Sequence, residues 1–346
     1  MSAYTFLHCL ASVASPTILT ASGAFISYKK WFDSHLISQV LKATFDFMMP
    51  LYLIFSVPKV YSREDLWQIW PLLISPIVLV PFLYILGTIF VRLFGIPPQM
   101  HTSITGIYSF ASIGNIGILM VKNSCASFGS LAGEKHCDKA IGYICMMWLP
   151  FTLTMYILFI SGLRKDSKQE SERFFPVFLH YLMTPVPIAG MLANIIGMLP
   201  GSNWFLYNED SIGFMFTDSA MLIGYCGILF SQIIVGSSIT IHLKSKVMLK
   251  NWKIVLIVVS RDIVVPGICL LFVKTMWENG LFYDDKVMAF TIFIGLSAQP
   301  AFLLMSFVSE FGLDVEDVQK IILWVYITSP FTLALSSYIF FLVISS

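Results

Sequence analysis

Two apolar segments long enough to cross a membrane are interrupted at their centres, and they occupy corresponding places in the two halves of the chain. Residues 104–121 are broken by Gly114-Asn115-Ile116-Gly117, and residues 287–308 by Ala298-Gln299-Pro300. A helix in lipid must satisfy its own backbone hydrogen bonds. Glycine pairs, an amide side chain and a mid-span proline are therefore costly unless that backbone is covered by protein or lines a cavity. Paired breaks in two halves are the pattern expected of a transporter binding site near the bilayer midplane.

The rest of the chain fits that setting. It is 57% hydrophobic with 12% charged residues, against roughly 25% charged in soluble domains, and its mean hydropathy is +0.80. The sequence therefore reads as an all-α polytopic membrane protein. Net charge is +1, which gives no reason to expect a nucleic-acid partner. The first apolar stretch lacks a basic n-region and a cleavage site and reads as a membrane helix. With about 20 apolar residues needed per crossing, ten candidate spans run over 4–27, 36–57, 69–93, 104–122, 139–162, 176–199, 214–239, 254–274, 287–308 and 319–343. The strongly polar stretch 164–173 reads as a short cytosolic linker within 163–175, dividing a first five-helix unit (1–162) from a second (176–346).

Lysine and arginine set the orientation. Connections after odd-numbered spans hold twelve of them, including Lys29, Lys30, Arg164 and Lys165, whereas those after even-numbered spans hold seven. The twelve-residue side is expected to be cytosolic, which places both termini on the lumenal or exterior side.

An internal repeat supports the two-unit division. Pro150-Phe151-Thr152-Leu153 recurs as Pro330-Phe331-Thr332-Leu333, Asn115 falls at nearly the same offset as Gln299, and Asp46 pairs with Asp218. Chance similarity among Leu/Phe/Thr-rich helices is the competing explanation, but three pairings in one order favour a repeat. Five is odd, so successive units insert in opposite senses. The expectation is a 5+5 inverted repeat of ten transmembrane helices whose two broken members cross.

Gly114, Asn115, Ile116 and Gly117 combine flexible backbone with a side chain that both donates and accepts. An unwound turn there would present N–H groups at a half-helix N-terminus, where a carboxylate is favoured. The alternative is a small-residue face that lets helices approach closely. Ser297, Gln299 and Pro300 complete the candidate substrate-binding set, the proline freeing a carbonyl in the preceding turn. Charges within spans are Lys42, Asp46, Asp218, Arg261 and Asp262. Lys42 and Asp46 are four apart and share a helix face, with Lys42 near enough to the cytosolic end to snorkel. Asp46 lies deeper, as a proton site or a balance for Arg261. Asp218 starts near the lumenal end, where water reaches it. Arg261-Asp262 reads equally as a structural pair or a gate. Lys122 and Glu310 sit at helix ends and carry no assigned role.

Cys125 and Cys137 bracket the connection expected on the lumenal side, where an oxidising compartment permits a disulfide. No HExxH, CxxC, Walker or GxSxG pattern occurs, so no enzyme activity, metal or cofactor is expected.

Around these features the chain resembles the auxin efflux carrier family, in its PIN-LIKES branch. The similarity is carried by Pro97-Pro98-Gln99-Met100-His101 before the first break, Gly114-Asn115-Ile116-Gly117 at it, and Cys125, Phe128-Gly129 and Cys137 beyond. It continues through Thr184-Pro185-Val186-Pro187-Ile188-Ala189, Phe216-Thr217-Asp218-Ser219, Ala298-Gln299-Pro300-Ala301 and Leu323-Trp324-Val325-Tyr326. The resemblance implies ten helices, crossing broken helices, transport of indole-3-acetic acid or another small organic anion, and residence in the endoplasmic reticulum membrane. Plasma membrane and vacuole, and a homodimer, stay open. Where the family has a second asparagine and then a proline, this chain has Ile118 and Met120, which leaves unwinding at Asn115 to the two glycines. The expected mechanism is alternating access, with Asp46 coupling charge. A proton- or sodium-coupled metabolite symporter of the same fold, and a transport-inactive sensor or interaction protein, are the alternatives.

Overall fold

The computed structural model describes residues 3–61, 67–127, 134–167, 174–241, 248–313 and 315–345. Its described residues are helical almost throughout. α1 (Ala3–Tyr28) is followed by α2 (Ser34–Ala43), which runs through a wide π turn, Thr44–Met48, into α3 (Met49–Ser56). The wide turn has a local cause. Pro50 has no N–H to give the Asp46 carbonyl four residues earlier, and a π turn is one way for a helix to absorb that loss. α4 (Trp70–Leu93) leads to the first broken pair, α5 (His101–Ser109) and α6 (Ile118–Ser127). α7 (Glu134–Asp166) is the longest helix described. In the second half, α8 (Phe174–Leu182) and α9 (Pro185–Met198) form one segment bent by 64°. The short α10 (Ser202–Tyr207) precedes α11 (Ile212–Ile241) and α12 (Asn251–Glu278). The second broken pair is α13 (Lys286–Ser297) and α14 (Leu303–Glu310), and α15 (Glu316–Ser345) closes the fold.

Among the described residues, seven spans are long and apolar enough to cross a membrane, six of them single helices and the seventh the continuous run His35–Val60 through α2 and α3. The bent α8–α9 pair makes an eighth if counted as one span. The other two of the ten candidate stretches are the broken ones. At about 1.5 Å per residue, neither α5 nor α14 reaches half of a roughly 30 Å hydrocarbon core. Among the linker residues, 168–173 lie outside the described ones, and α7 extends helically to Asp166. The side chains of Cys125 and Cys137 also fall outside what is described, and with them the expected disulfide.

Large apolar side chains such as Ile77, Phe82, Ile85 and Ile89 on α4, and Ile263 and Leu271 on α12, point outward, as a lipid-facing surface requires. The broken segments are the opposite. Residues 102–121 and 287–300 are buried almost without exception, so the irregular backbone is covered by protein.

Helices in lipid associate through close packing rather than hydrophobic exclusion, which favours small residues at contacts. α1 and α11 show this most clearly. A Cβ on Gly23 would strike the Ile233 carbonyl, and one on Gly236 the Thr20 carbonyl. The backbones are then near enough for Ser237 to donate to the Gly23 carbonyl at 2.9 Å and Thr20 to the Gln232 side chain at 3.3 Å. α3 packs on both α11 and α9, while α4 and α7 pack against α5, and α12 and α15 against α13.

Candidate functional site

The two breaks meet. α13 ends at Ser297 because Pro300 cannot donate and its ring excludes the carbonyl of the preceding turn, while Gln299 before it is steered to extended backbone. α5 ends at Ser109, and Phe110 is extended at φ −108°, ψ 94°. The backbones then pair antiparallel, Ala111 opposite Pro300. Ser112 N–H donates to the Gln299 carbonyl at 2.7 Å and Ala301 N–H to the Phe110 carbonyl at 2.8 Å. Each break therefore satisfies backbone groups that the other leaves free.

The first break lies at 110–112, not at the glycine motif. Gly114 to Gly117 fall inside a π turn, Ile113–Gly117, that starts the second half-helix. Their smallness serves packing: a Cβ on Gly114 would run into the Trp148 indole, and one on Gly117 would lie 2.6 Å from the Ile144 side chain. Both α7 residues are thereby drawn against the turn.

Arg261 fastens the crossing. Its side chain is 2% exposed. Nε donates to the Ile107 carbonyl at 2.8 Å, and the guanidinium also donates to the Ala298 carbonyl. Those carbonyls belong to the C-terminal ends of α5 and α13, where a cation is favoured by the helix dipoles. α15 adds Tyr326, whose hydroxyl donates to the Pro300 carbonyl at 3.3 Å, and Ser329, which accepts from the Gln299 amide. Arg261 thus meets backbone rather than Asp46. Its neighbour Asp262 turns to α15, where Thr328 donates to it at 2.5 Å. The two act as separate anchors instead of one pair.

With both C-terminal ends held by Arg261, the half-helix N-termini of the Ile113–Gly117 turn and of α14 carry unfilled N–H groups and partial positive charge. They open onto a cavity of about 230 Å³. Residues 111–115 and 301–303 form its floor, and Trp148, Phe151, Tyr156, Tyr181 and Phe307 give it aromatic walls. Asn115 lines it while only 8% exposed, and its Oδ1 has no hydrogen-bond partner. Asp46, in the π turn before Pro50, lines the same cavity. The bend at Thr184-Pro185 brings α8 and α9 to the same cavity, and Glu310 at the end of α14 completes it.

The remaining candidates are distributed. Gln299 lines a second cavity, of about 310 Å³, with Thr17 and Thr20 of α1, Thr240 of α11 and Pro330 of α15. Asn115 and Gln299 therefore face different spaces, although their backbones are neighbours. Ile116 and Gly117 are buried behind the floor. Ser297 is buried with an unpartnered hydroxyl, and Pro300 contributes its carbonyl to Tyr326. Lys42 is exposed at the end of α2 and Asp218 on the second turn of α11. Asp46 is solvent-accessible rather than deeply buried, and among the described residues it makes no ion pair with Lys42 or Arg261. The π turn takes Asp46 out of the regular four-residue register that would have stacked it on Lys42.

Sequence reasoning assigned Glu310 no role and did not single out which aromatic residues wall the cavity, because they converge from three separate elements, α7, α8 and α14. It also left Arg261 without its partners. The available signal was a lone arginine in an apolar span of a chain with two helix breaks, since each break frees carbonyls that need a donor.

A family model described as membrane transport protein matches residues 8–337. The chain is also similar to Protein PIN-LIKES 7 of Arabidopsis thaliana, with 20% identity over 399 aligned positions covering 98% of this chain and 100% of that one.

Proposed function

Because the chain belongs to the membrane transport protein family of auxin efflux carriers, we propose that it is a secondary transporter moving a small amphipathic organic acid, such as indole-3-acetic acid, by alternating access. The reading takes the seven long apolar spans, the bent α8–α9 pair and the two broken pairs as ten spans, in inverted units 1–162 and 176–346 joined by 163–175. The resemblance to PIN-LIKES proteins favours the endoplasmic reticulum membrane.

One observation carries the proposal: an aromatic cavity whose floor is made of two half-helix N-termini beside the buried Asn115. In this reading the substrate carboxylate lies on N–H groups of residues 114–116 and 302–303, where charge and unfilled donors coincide. The amide N–H groups of Asn115 donate to it and fix its orientation, and the ring system lies against Trp148, Phe151 and Phe307. Gln299, Pro300 and Arg261 act on the substrate through the crossing they hold, and Ser297 through the end of α13 beside it. Rocking one group of helices against the other would expose the floor to each side in turn. Asp46 on the cavity wall favours coupling to a proton or another cation.

The test is uptake of labelled indole-3-acetate into proteoliposomes by wild type and Asn115→Ala. Loss of a hydrogen bond to a charged group, about 1.5–3 kcal/mol, corresponds to a fall of roughly tenfold or more in apparent affinity. Equal uptake by the two proteins removes Asn115 from the site.

A further inference from the structure

Away from the cavity, basic residues from two connections gather where α4 ends and α12 begins. Lys253, on the first turn of α12, donates through Nζ to the Gly95 carbonyl in the turn after α4, and Gly95 N–H donates to the Arg92 carbonyl at 3.1 Å. Lys250 immediately precedes α12. Arg92 and Lys250 are exposed and Lys253 is half-buried, and none of the three makes an ion pair among the described residues. No side chain caps α12 at Lys250, so its first N–H groups add partial positive charge at that end. The acids of the neighbouring α15 are committed elsewhere. Asp317 is fully buried and accepts from Met248 and Leu249 N–H at 3.1 and 2.9 Å. Glu316 stands four residues before Lys320, whose ammonium reaches the Asn251 side chain at 3.4 Å, so those two charges offset one another.

The surroundings of this corner are those of a lipid headgroup. It lies at the ends of two membrane spans, Trp70–Leu93 and Asn251–Glu278. The Lys253 ammonium is 5.7 Å from the centroid of the Trp252 ring, which is 54% exposed, and tryptophan favours the headgroup level of a bilayer. Inward from the corner, α4 exposes Ile85 and Ile89 and α12 exposes Leu256 and Val259. The two helices are joined there through α5. The Phe90 ring of α4 lies 5.5 Å from that of Tyr108, whose hydroxyl shares a hydrogen bond of 2.6 Å with Ser260 of α12. A soluble anion would use only the basic end of this arrangement, whereas a diacyl phospholipid uses its apolar length as well.

From this we infer that the corner between the end of α4 and the start of α12 binds an anionic phospholipid, its headgroup between Arg92 and Lys253 and its acyl chains along α4 and α12. Both connections follow odd-numbered spans, on the side expected to be cytosolic, and the cytoplasmic leaflet is where anionic lipids concentrate. The bound lipid would tie the turn that leads into α5 to the helix that carries Arg261. A bias of cations toward one face of the membrane would by itself favour no particular spot on that face. Lys29 and Lys30, exposed after α1, supply the comparison.

Quenching of Trp252 reads the occupant directly. The full chain is reconstituted in phosphatidylcholine vesicles that contain equal fractions of either brominated phosphatidylserine or brominated phosphatidylcholine. The Trp252 signal is the difference between wild type and Trp252→Phe, and bromine on the acyl chains quenches it on contact. The inference expects phosphatidylserine to be preferred beside Trp252 by about tenfold or more, the scale of two or three interfacial cations acting on one lipid. Arg92→Gln combined with Lys253→Gln should bring that preference to within about twofold, while Lys29→Gln combined with Lys30→Gln should leave it unchanged. Equal quenching by the two lipids in the wild-type corner would overturn the inference without need of the charge variants. A preference that survives Arg92→Gln with Lys253→Gln would overturn it too. So would an equal loss in the Lys29 and Lys30 variant, because the preference would then come from the potential of the whole face rather than from this corner.

Discussion

Replacing Arg261 by lysine isolates what holds the crossing together. The guanidinium reaches carbonyls on two different helices at once, Ile107 at 2.8 Å and Ala298, because its planar fork presents donors in separate directions. A lysine ammonium is a compact single point and satisfies one of them. The other carbonyl is left buried, and the lost charge-assisted bond costs about 1.5–3 kcal/mol. That corresponds to roughly 10- to 150-fold in the equilibrium for local opening. The reporters are the amides of Ser112 and Ala301, whose bonds to Gln299 and Phe110 close the bridge. Hydrogen–deuterium exchange on protein in nanodiscs should show peptides covering 110–113 and 299–302 exchanging faster in Arg261→Lys by that factor. Peptides from α9 (Pro185–Met198), remote from Arg261 in the packing order, should keep their rates. Unchanged exchange at both breaks would refute the assignment of Arg261 as their fastening.

Other predictions follow from packing, capping and charge. Gly236→Ala sets a Cβ against the Thr20 carbonyl, which backbone cannot yield, so a loss of about 1–3 kcal/mol is expected and a lower melting temperature. Gly267→Ala is the control: nothing lies within 4 Å of its Cβ position in mid-α12, and a gain of about 0.5–1 kcal/mol is expected. Asp285 caps α13 by accepting from Val287 N–H at 3.0 Å and Met288 N–H at 2.9 Å, and also takes the Tyr143 hydroxyl at 2.8 Å. Asp285→Ala should cost at least about 1 kcal/mol, read as a lower midpoint in thermal unfolding. If Asp46 couples transport to a cation, Asp46→Asn should abolish the stimulation of uptake by an imposed cation gradient, and stimulation of wild-type size in the variant would exclude that role.

Much of the architecture was legible because its causes are local. Pro300 ends α13 through its own missing N–H and its ring, so the second break stands where the sequence puts it. The first break moved. Nothing between Phe110 and Ser112 is a helix breaker, and the chain departs from helix there because Gln299 and Ala301 offer better partners for its backbone than continuation does. That is a tertiary cause, invisible along the chain, and it left the glycines to be read as the break when they are contact points for Trp148 and Ile144. Asp46 illustrates the same limit in reverse. Four-residue spacing pairs it with Lys42 on a regular helix, but Pro50 widens the turn and changes the face. Arg261 was recognisable as a buried cation, yet its role depended on which carbonyls the fold would free beside it. The aromatic walls come from α7, α8 and α14, and no local pattern assembles them.

The most direct test of the account is where a ligand goes. Irradiating the protein in nanodiscs with an azido-indole-3-acetate, then mapping the adducts by peptide mass spectrometry, reads the occupied cavity without relying on any variant. The account predicts labelling of Trp148, Phe151 or Phe302 around the floor set by Asn115, suppressed by excess unlabelled ligand. Suppressible labelling confined to the space around Thr20, Tyr326 and Gln299, with none near Trp148, would contradict it.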